Sequence, residues 1–230
     1  MRKTLFSGIA ACLLATAATA AEQSPSVIWT VGQADRSASE FALAPDRFRD
    51  FLANDFGYED KYFLVGHSVP AADFPYVLPG PADTWGGTWP TSGWRTHQVN
   101  ILFGLKEIPS DGTCTLVVDL LDYAKNFLPL VKVSVNTQDA KFQLDAPGLC
   151  VADQRKPNQM EKIVDTLSIT GNLAKATPRR LEIPIRPGVL KAGGNEVTIT
   201  VLEGSWILFD RVSLEGPAGT NVEQPQQLFI

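Results

Sequence analysis

The stretch GGNEVTITV at residues 193–201 decides the fold class. Val197, Ile199 and Val201 alternate with Thr198 and Thr200, and this alternation places every apolar side chain on one face of a β-strand. The glycines and the asparagine that precede it are typical of a turn. The stretch therefore predicts a turn followed by a strand with one face in a core.

The same pattern recurs along most of the chain. Further strands are predicted at residues 27–31, 62–65, 99–105, 113–121, 131–135, 142–144, 181–185 and 206–214. One short helix is expected at residues 45–54, because Phe48, Phe51 and Leu52 have the spacing i, i+3, i+4. Many short strands with little helix predict one all-β domain, an antiparallel jelly-roll β-sandwich.

The N-terminus has the pattern of a secretory signal peptide at residues 1–20. Arg2 and Lys3 precede an apolar run, and small residues at 18–20 form a cleavage site. The alternative is a lipid anchor at Cys12. No later run approaches the ~20 apolar residues of a membrane-spanning helix. We therefore expect a secreted or periplasmic protein with a folded domain at residues 21–217 and a flexible tail at 218–230.

The charge balance is acidic, with 20 basic and 25 acidic residues. Loss of Arg2 and Lys3 with the signal peptide would leave 18 basic residues. Such a chain is a poor binder of nucleic acid. Without Cys12, the cysteines are Cys114 and Cys150, which an exported protein either joins in a disulfide or leaves as thiols.

Residues 74–97, FPYVLPGPADTWGGTWPTSGWRTH, form what we call the aromatic loop. Its prolines and glycines break both strands and helices, so it is expected on the surface. Two interpretations remain open: its aromatic side chains form an exposed surface for sugar rings, or they fold back over the core. The side chains expected to bind carbohydrate are Tyr76, Trp85, Trp89, Trp94, Arg95 and His97.

Polar residues of this region support the interpretation of the loop as an exposed surface for sugar rings. Asp73 and Asp83 have hydrogen-bonding groups for sugar hydroxyls, and the guanidinium of Arg95 matches the carboxylate of a uronic acid. The histidines, His67 and His97, stand near the two ends of the loop. They either approach each other as an acid–base or metal-binding pair, or hydrogen-bond to loop backbone. The sequence contains no phosphate-binding loop, HExxH, GxSxG or paired CxxC motif.

In the final predicted strand, Asp210 falls on the same face as Leu208, Val212 and Leu214. A carboxylate aimed at a core requires a cation or several donors. Arg36 is one candidate partner, and a structural Ca²⁺ held by oxygen ligands is the other.

Three stretches of the sequence resemble a known family. IWTVGQADRSASEF at residues 28–41 and FDRVSLEGP at 209–217 are similar to the opening and closing motifs of the C-terminal domain of rhamnogalacturonan lyases, polysaccharide lyase family 4. GNEVTI at 194–199 resembles a strand of the same domain. The resemblance implies a jelly-roll, carbohydrate-binding-like module associated with pectin degradation. The lyase chemistry of that family is assigned to a separate domain, so no catalytic residue is carried over and no cofactor is implied.

Three functions remain open at this point. The first is a secreted, non-catalytic module that binds pectic or other polysaccharide, including one that contains uronate. The second is a stand-alone polysaccharide lyase or glycosidase that uses His67, His97 or Arg95. The third is an adaptor domain that binds a secreted protein partner through the aromatic loop.

Overall fold

The computed structural model describes residues 26–58, 61–87, 97–109, 113–145 and 167–223. In these ranges the chain forms two β-sheets that face each other. The strands are β1 Ser26–Gly32, β2 Tyr62–Leu64, β3 Val77–Leu78, β4 Gln98–Leu105, β5 Thr115–Tyr123, β6 Leu130–Val135, β7 Gln138–Gln143, β8 Arg179–Pro184, β9 Gly193–Glu203, β10 Ile207–Gly216 and β11 Val222–Glu223. The predicted all-β sandwich is confirmed.

The first sheet has the order β1-β10-β5-β8, and β3 pairs with the end of β10. The second has the order β11-β4-β9-β6-β7. Its strands are antiparallel except for β2, which runs parallel to β4. Strands distant in sequence are therefore neighbours, as in the pairing of β1 with β10 in the first sheet and of β4 with β9 in the second.

The core lies between the sheets, and β9 follows the predicted alternation except at Thr200, which is also buried. Val197, Ile199 and Val201 of β9 are at most 2% exposed, whereas Glu196 and Thr198 alternate with them at more accessible positions. From the first sheet, Trp29 reaches across to Phe103 of the second, with 5.2 Å between ring centres. Burial of these side chains is the main driving force for the fold.

The helix predicted at residues 45–54 is wrong in type. The segment forms two 3-10 turns, Phe48–Asp50 and Leu52–Asn54, and the α-helix of the described chain is α1, Pro70–Asp73. A 3-10 turn places residues i and i+3 on the same side. Phe48 and Phe51 can therefore both contact Trp85, so tertiary packing selects the tighter turns.

The sandwich extends beyond the predicted domain end at residue 217. Val222–Glu223 forms β11 and pairs with Leu105 and Gly104. The predicted signal peptide and residues 224–230 lie outside the described ranges. Within those ranges, no helix has both the length and the apolarity required to cross a membrane.

The outer face of the first sheet is irregular where β10 meets β5. Their register shifts between Leu208 and Phe209 and again between Phe209 and Arg211, so Asp210 is a bulge residue. Bulges redirect side chains. Two segments cover this part of the sheet, residues 37–45 and residues 168–173, and we call them the 37–45 wall and the 168–173 wall. A cavity lies between them.

Candidate functional site

The aromatic loop holds Trp85 in a fixed position at the surface. The side chain is partly buried. Its ring centre lies 5.1 Å from that of Phe48 and 6.0 Å from that of Phe51, and the ring planes are nearly perpendicular. This is a favourable geometry for aromatic pairs. The guanidinium carbon of Arg49 lies 4.9 Å from the centre of the Phe48 ring, so a cation borders the cluster.

Asp83 fixes the loop around Trp85. Its carboxylate accepts hydrogen bonds from Ser205 Oγ at 2.6 Å, from the Gly80 amide at 2.9 Å and from the Trp85 indole. Burial raises the pKa of Asp83, and these donors oppose that rise. Asp83 therefore has a structural role within the loop, and its contact with a sugar stays a prediction. Asp73 likewise has a local role, since its Oδ2 accepts from the Val69 amide at 2.7 Å.

Two of the predicted binding residues are buried. Tyr76 is 1% exposed, and its hydroxyl donates to the Ile169 carbonyl at 2.6 Å. His97 is 2% exposed and packs against Gly86, where an added Cβ would lie 3.7 Å from His97 Cε1. For these two residues the structure contradicts the exposed arrangement and favours the alternative of packing onto the core. Trp89, Trp94 and Arg95 lie outside the described residues and stay predictions.

The histidines do not share an accessible site. His67 is exposed in the turn after β2, whereas His97 is buried immediately before β4. In the described ranges, no group of three or more His, Cys, Asp or Glu side chains has the geometry of a metal site.

Asp210 is only 7% exposed, but the prediction of an ion pair with the Arg36 guanidinium is wrong. Asp210 Oδ1 accepts from the main-chain amide of Arg36 at 3.0 Å, while the Arg36 side chain is exposed. Arg211, the next residue, lies on the outer face and pairs with Asp119, with Nη2 2.9 Å from Oδ2. Burial raises the pKa of Asp210 to about 6. The negative charges of Asp35, Asp119 and Glu40 add to this rise, and the hydrogen bond from the Arg36 amide opposes it.

The cavity between the two walls has a volume of about 230 Å³. Its floor consists of Tyr76, Leu121, Ser168 and Leu208, each at most 3% exposed. Its rim contains side chains or backbone open to solvent, notably at Ser39, Pro45 and Gly171. A buried floor and an exposed rim define an open pocket, which the sequence did not predict.

A buried polar network supports the 168–173 wall. Asp122, which is 0% exposed, accepts from Ser168 Oγ at 2.6 Å, from Lys125 Nζ at 2.7 Å and from the Thr177 amide at 3.0 Å. Burial lowers the pKa of Lys125, and its bond to Asp122 opposes that change. The available sequence signal was an aspartate within the apolar run of β5. Sequence reasoning missed it because two of its three partners, Ser168 and Thr177, lie 46 and 55 residues away.

Cys114 is buried and is a free thiol in the structure, and burial raises its pKa. Cys150 lies outside the described residues. The structure therefore does not show the predicted disulfide.

Comparison with known proteins gives a family match over most of the chain. The model of the carbohydrate-binding-module-like domain III of polysaccharide lyase family 4 matches residues 27–214. No curated protein matched the chain.

Two solved structures are distantly similar. A family GH115 4-O-methyl-alpha-glucuronidase with specificity for decorated arabinogalactans is 16% identical over 52% of this chain and 13% of its own, with a TM-score of 0.28. A family 35 carbohydrate-binding module from an environmental isolate is 11% identical over 56% of this chain and 70% of its own, with a TM-score of 0.32. The family assignment therefore depends on the match to residues 27–214, on which ground this chain belongs to the family of carbohydrate-binding-module-like domains that form domain III of polysaccharide lyase family 4.

Proposed function

We propose that this protein is an exported, non-catalytic module that binds pectic or other polysaccharide at the end of the sandwich that carries Trp85. The observation that carries the proposal is the fixed, partly exposed indole of Trp85 in a chain of this family. An indole combines a large apolar face with a polar edge. A pyranose ring has an apolar C–H face and a hydroxyl-bearing edge, so the two surfaces are complementary.

The indole of Trp85 is ordered before a ligand arrives. Phe48 and Phe51 contact its ring, and Asp83 accepts its N–H. Binding then costs little additional side-chain entropy, which favours affinity. Trp89, Trp94 and Arg95 follow in the aromatic loop, and the proposal assigns them to the same surface. Arg95 would contact the carboxylate of a uronic acid residue, where the polysaccharide contains one.

Affinity gel electrophoresis on pectic and neutral polysaccharides tests this function. We expect retardation of the wild-type protein and at least about tenfold weaker binding for Trp85→Ala, which corresponds to a loss of about 1.4 kcal/mol. Phe127→Ala is the matched control, because Phe127 is 52% exposed outside the aromatic loop. Thermal unfolding verifies that both variants are folded.

Two results would contradict the proposal: no retardation on any polysaccharide, or equal retardation of wild type and Trp85→Ala. Capture of a secreted protein without any glycan binding would instead support the adaptor hypothesis. Export is tested separately by mass spectrometry of the mature protein, whose first residue is expected to be Ala21.

A further inference from the structure

We propose that the cavity between the 37–45 wall and the 168–173 wall is a second carbohydrate site, which receives a single uncharged sugar residue. The inference rests on the proposed function for the general class of ligand. The position of the site and its preference for a neutral ring come from the cavity itself.

The size of the cavity limits the ligand to about one ring. Pockets for drug-sized ligands have volumes of ~300–1,000 Å³, and this cavity has about 230 Å³. Because the floor is buried and the rim is exposed, a ligand enters from one side. The cavity therefore fits one residue or branch of a polysaccharide better than an extended chain.

The described lining contains no charged side chain. It consists of Ser37, Ala38, Ser39, Ala44, Pro45, Tyr76, Leu121, Ser168, Gly171, Leu173 and Leu208. A carboxylate moved to this floor would lose its hydration without gaining a cation.

Acidic side chains lie beside the cavity, and the cation Arg36, which precedes Ser37, has an exposed side chain. Asp46 is close enough to Tyr76 to contribute to the raised pKa of its phenol, after the larger effect of burial. Asp210 contacts Arg36, the residue immediately before the 37–45 wall, and the charges of Asp35 and Glu40 act on Asp210. Lys125, the cation behind Ser168, is paired with Asp122. The cavity therefore prefers neutral sugars to uronic acids.

The polar groups of the cavity specify a ligand that carries hydroxyls. Because Ser168 donates its hydroxyl proton to the Asp122 carboxylate, its oxygen can only accept a hydrogen bond from a ligand. At the rim, Ser37 and Ser39 lie 2.9 Å apart, oxygen to oxygen. Leu121 and Leu208 supply apolar contacts for the C–H face of the ring. An uncharged pyranose combines a hydroxyl donor with such an apolar face.

The test uses methyl glycosides in a ¹H–¹⁵N NMR titration of the whole protein. The neutral probes are the methyl pyranosides of galactose, glucose, mannose and a 6-deoxyhexose, and the charged probe is the methyl glycoside of galacturonic acid. We expect at least one neutral glycoside to shift the amides of residues 37–39 and 168–173. We expect the galacturonic acid glycoside to bind at least tenfold more weakly than that neutral probe. Equal or tighter binding of the charged probe would overturn the inference, and this comparison needs no variant.

A blocking variant locates the site. Leu173→Trp enlarges a partly exposed residue of the lining, and Ala174→Trp is the matched control because Ala174 is exposed beside the cavity but does not line it. We expect Leu173→Trp to abolish the titration and Ala174→Trp to preserve it. The same outcome in both variants would overturn the assignment to the cavity.

Trp85→Ala separates this inference from the proposed function. We expect this variant to lose polysaccharide retardation but to keep the monosaccharide titration. If no neutral glycoside binds while the wild-type protein still binds polysaccharide, the cavity is not a sugar site and the proposed function stands. If glycosides bind and polysaccharide binding does not depend on Trp85, the proposed surface at Trp85 is wrong and the cavity remains.

Discussion

The two walls of the cavity are attached to the same sheet by two buried carboxylates whose surroundings differ. Asp122 has three donors, one of them the ammonium group of Lys125. Within the part of the chain that the structure describes, Asp210 has one donor, the Arg36 amide, and it lies near three other acids. A buried charge is stable only where donors or a counter-ion replace its hydration. The comparison therefore indicates a firmly held 168–173 wall and a 37–45 wall whose attachment depends on pH.

The largest expected change in the unfolding free energy follows from the removal of the Asp122 carboxylate. Asp122→Ala leaves the Lys125 ammonium, the Ser168 hydroxyl and the Thr177 amide without this acceptor, so we expect a destabilisation of about 3–5 kcal/mol. Urea unfolding measures it. Asp139→Ala is the control, because Asp139 forms an exposed pair with Lys132 and should cost less than about 1 kcal/mol. Similar losses in the two variants would show that the Asp122 network stabilises the protein no more than a surface pair, and the 168–173 wall would not be firmly held.

The next largest effect is expected for Asp210→Asn, which should increase the unfolding free energy in a pH-dependent way. Because burial raises the pKa of Asp210 from its ordinary value of 3.8 to about 6 in the folded protein, the folded state binds more protons than the unfolded state between these values. Its contribution to stability is therefore greatest at low pH and falls as the pH rises through 6.

The amide of the variant can still accept from Arg36 but carries no charge. We expect Asp210→Asn to match the wild type at pH 4 and to exceed its unfolding free energy by about 2 kcal/mol at pH 8, an amount reduced for partial solvent screening. Thermal and urea unfolding at the two pH values measure this. A variant that is less stable than the wild type at pH 8 would show that the carboxylate has a cation partner.

A smaller effect is expected where the two walls meet. Gly171 has φ of +89°, and a Cβ there would lie 3.0 Å from Pro45 Cβ, whereas Gly188 has φ of +80° and open space around it. An L side chain in this conformation costs about 1 kcal/mol. We expect Gly171→Ala to destabilise more than Gly188→Ala, by about 1 kcal/mol. Equal values in thermal unfolding would mean that Pro45 moves aside freely.

The smallest effect is expected for Arg36→Ala. The main-chain amide of Arg36, not its guanidinium, contacts Asp210, and the side chain is exposed. The unfolding free energy should change by less than about 0.5 kcal/mol at pH 7. A loss above about 2 kcal/mol, with Arg47→Ala as the exposed control, would restore the ion pair as the attachment of the 37–45 wall.

The candidate site was only partly predictable from the sequence. Trp85 was identified because three tryptophans in a loop rich in proline and glycine are unusual for a core element. Tyr76 and His97 belong to the same loop, yet they are buried. No local pattern separates these cases, because the burial of Tyr76 depends in part on Ile169, 93 residues away. The cavity was not predictable for the same reason.

The sequence by itself determined the sandwich, since alternation with a period of two indicates which face of a strand is buried. The motifs at residues 28–41 and 209–217 identified the family. Only the tertiary structure decided the two 3-10 turns, the bulge at Asp210 and the donors of the buried carboxylates. Periodicity is a local property that one strand expresses alone. Cavities and buried charges depend instead on contacts such as that between Arg36 and Asp210, which are 174 residues apart.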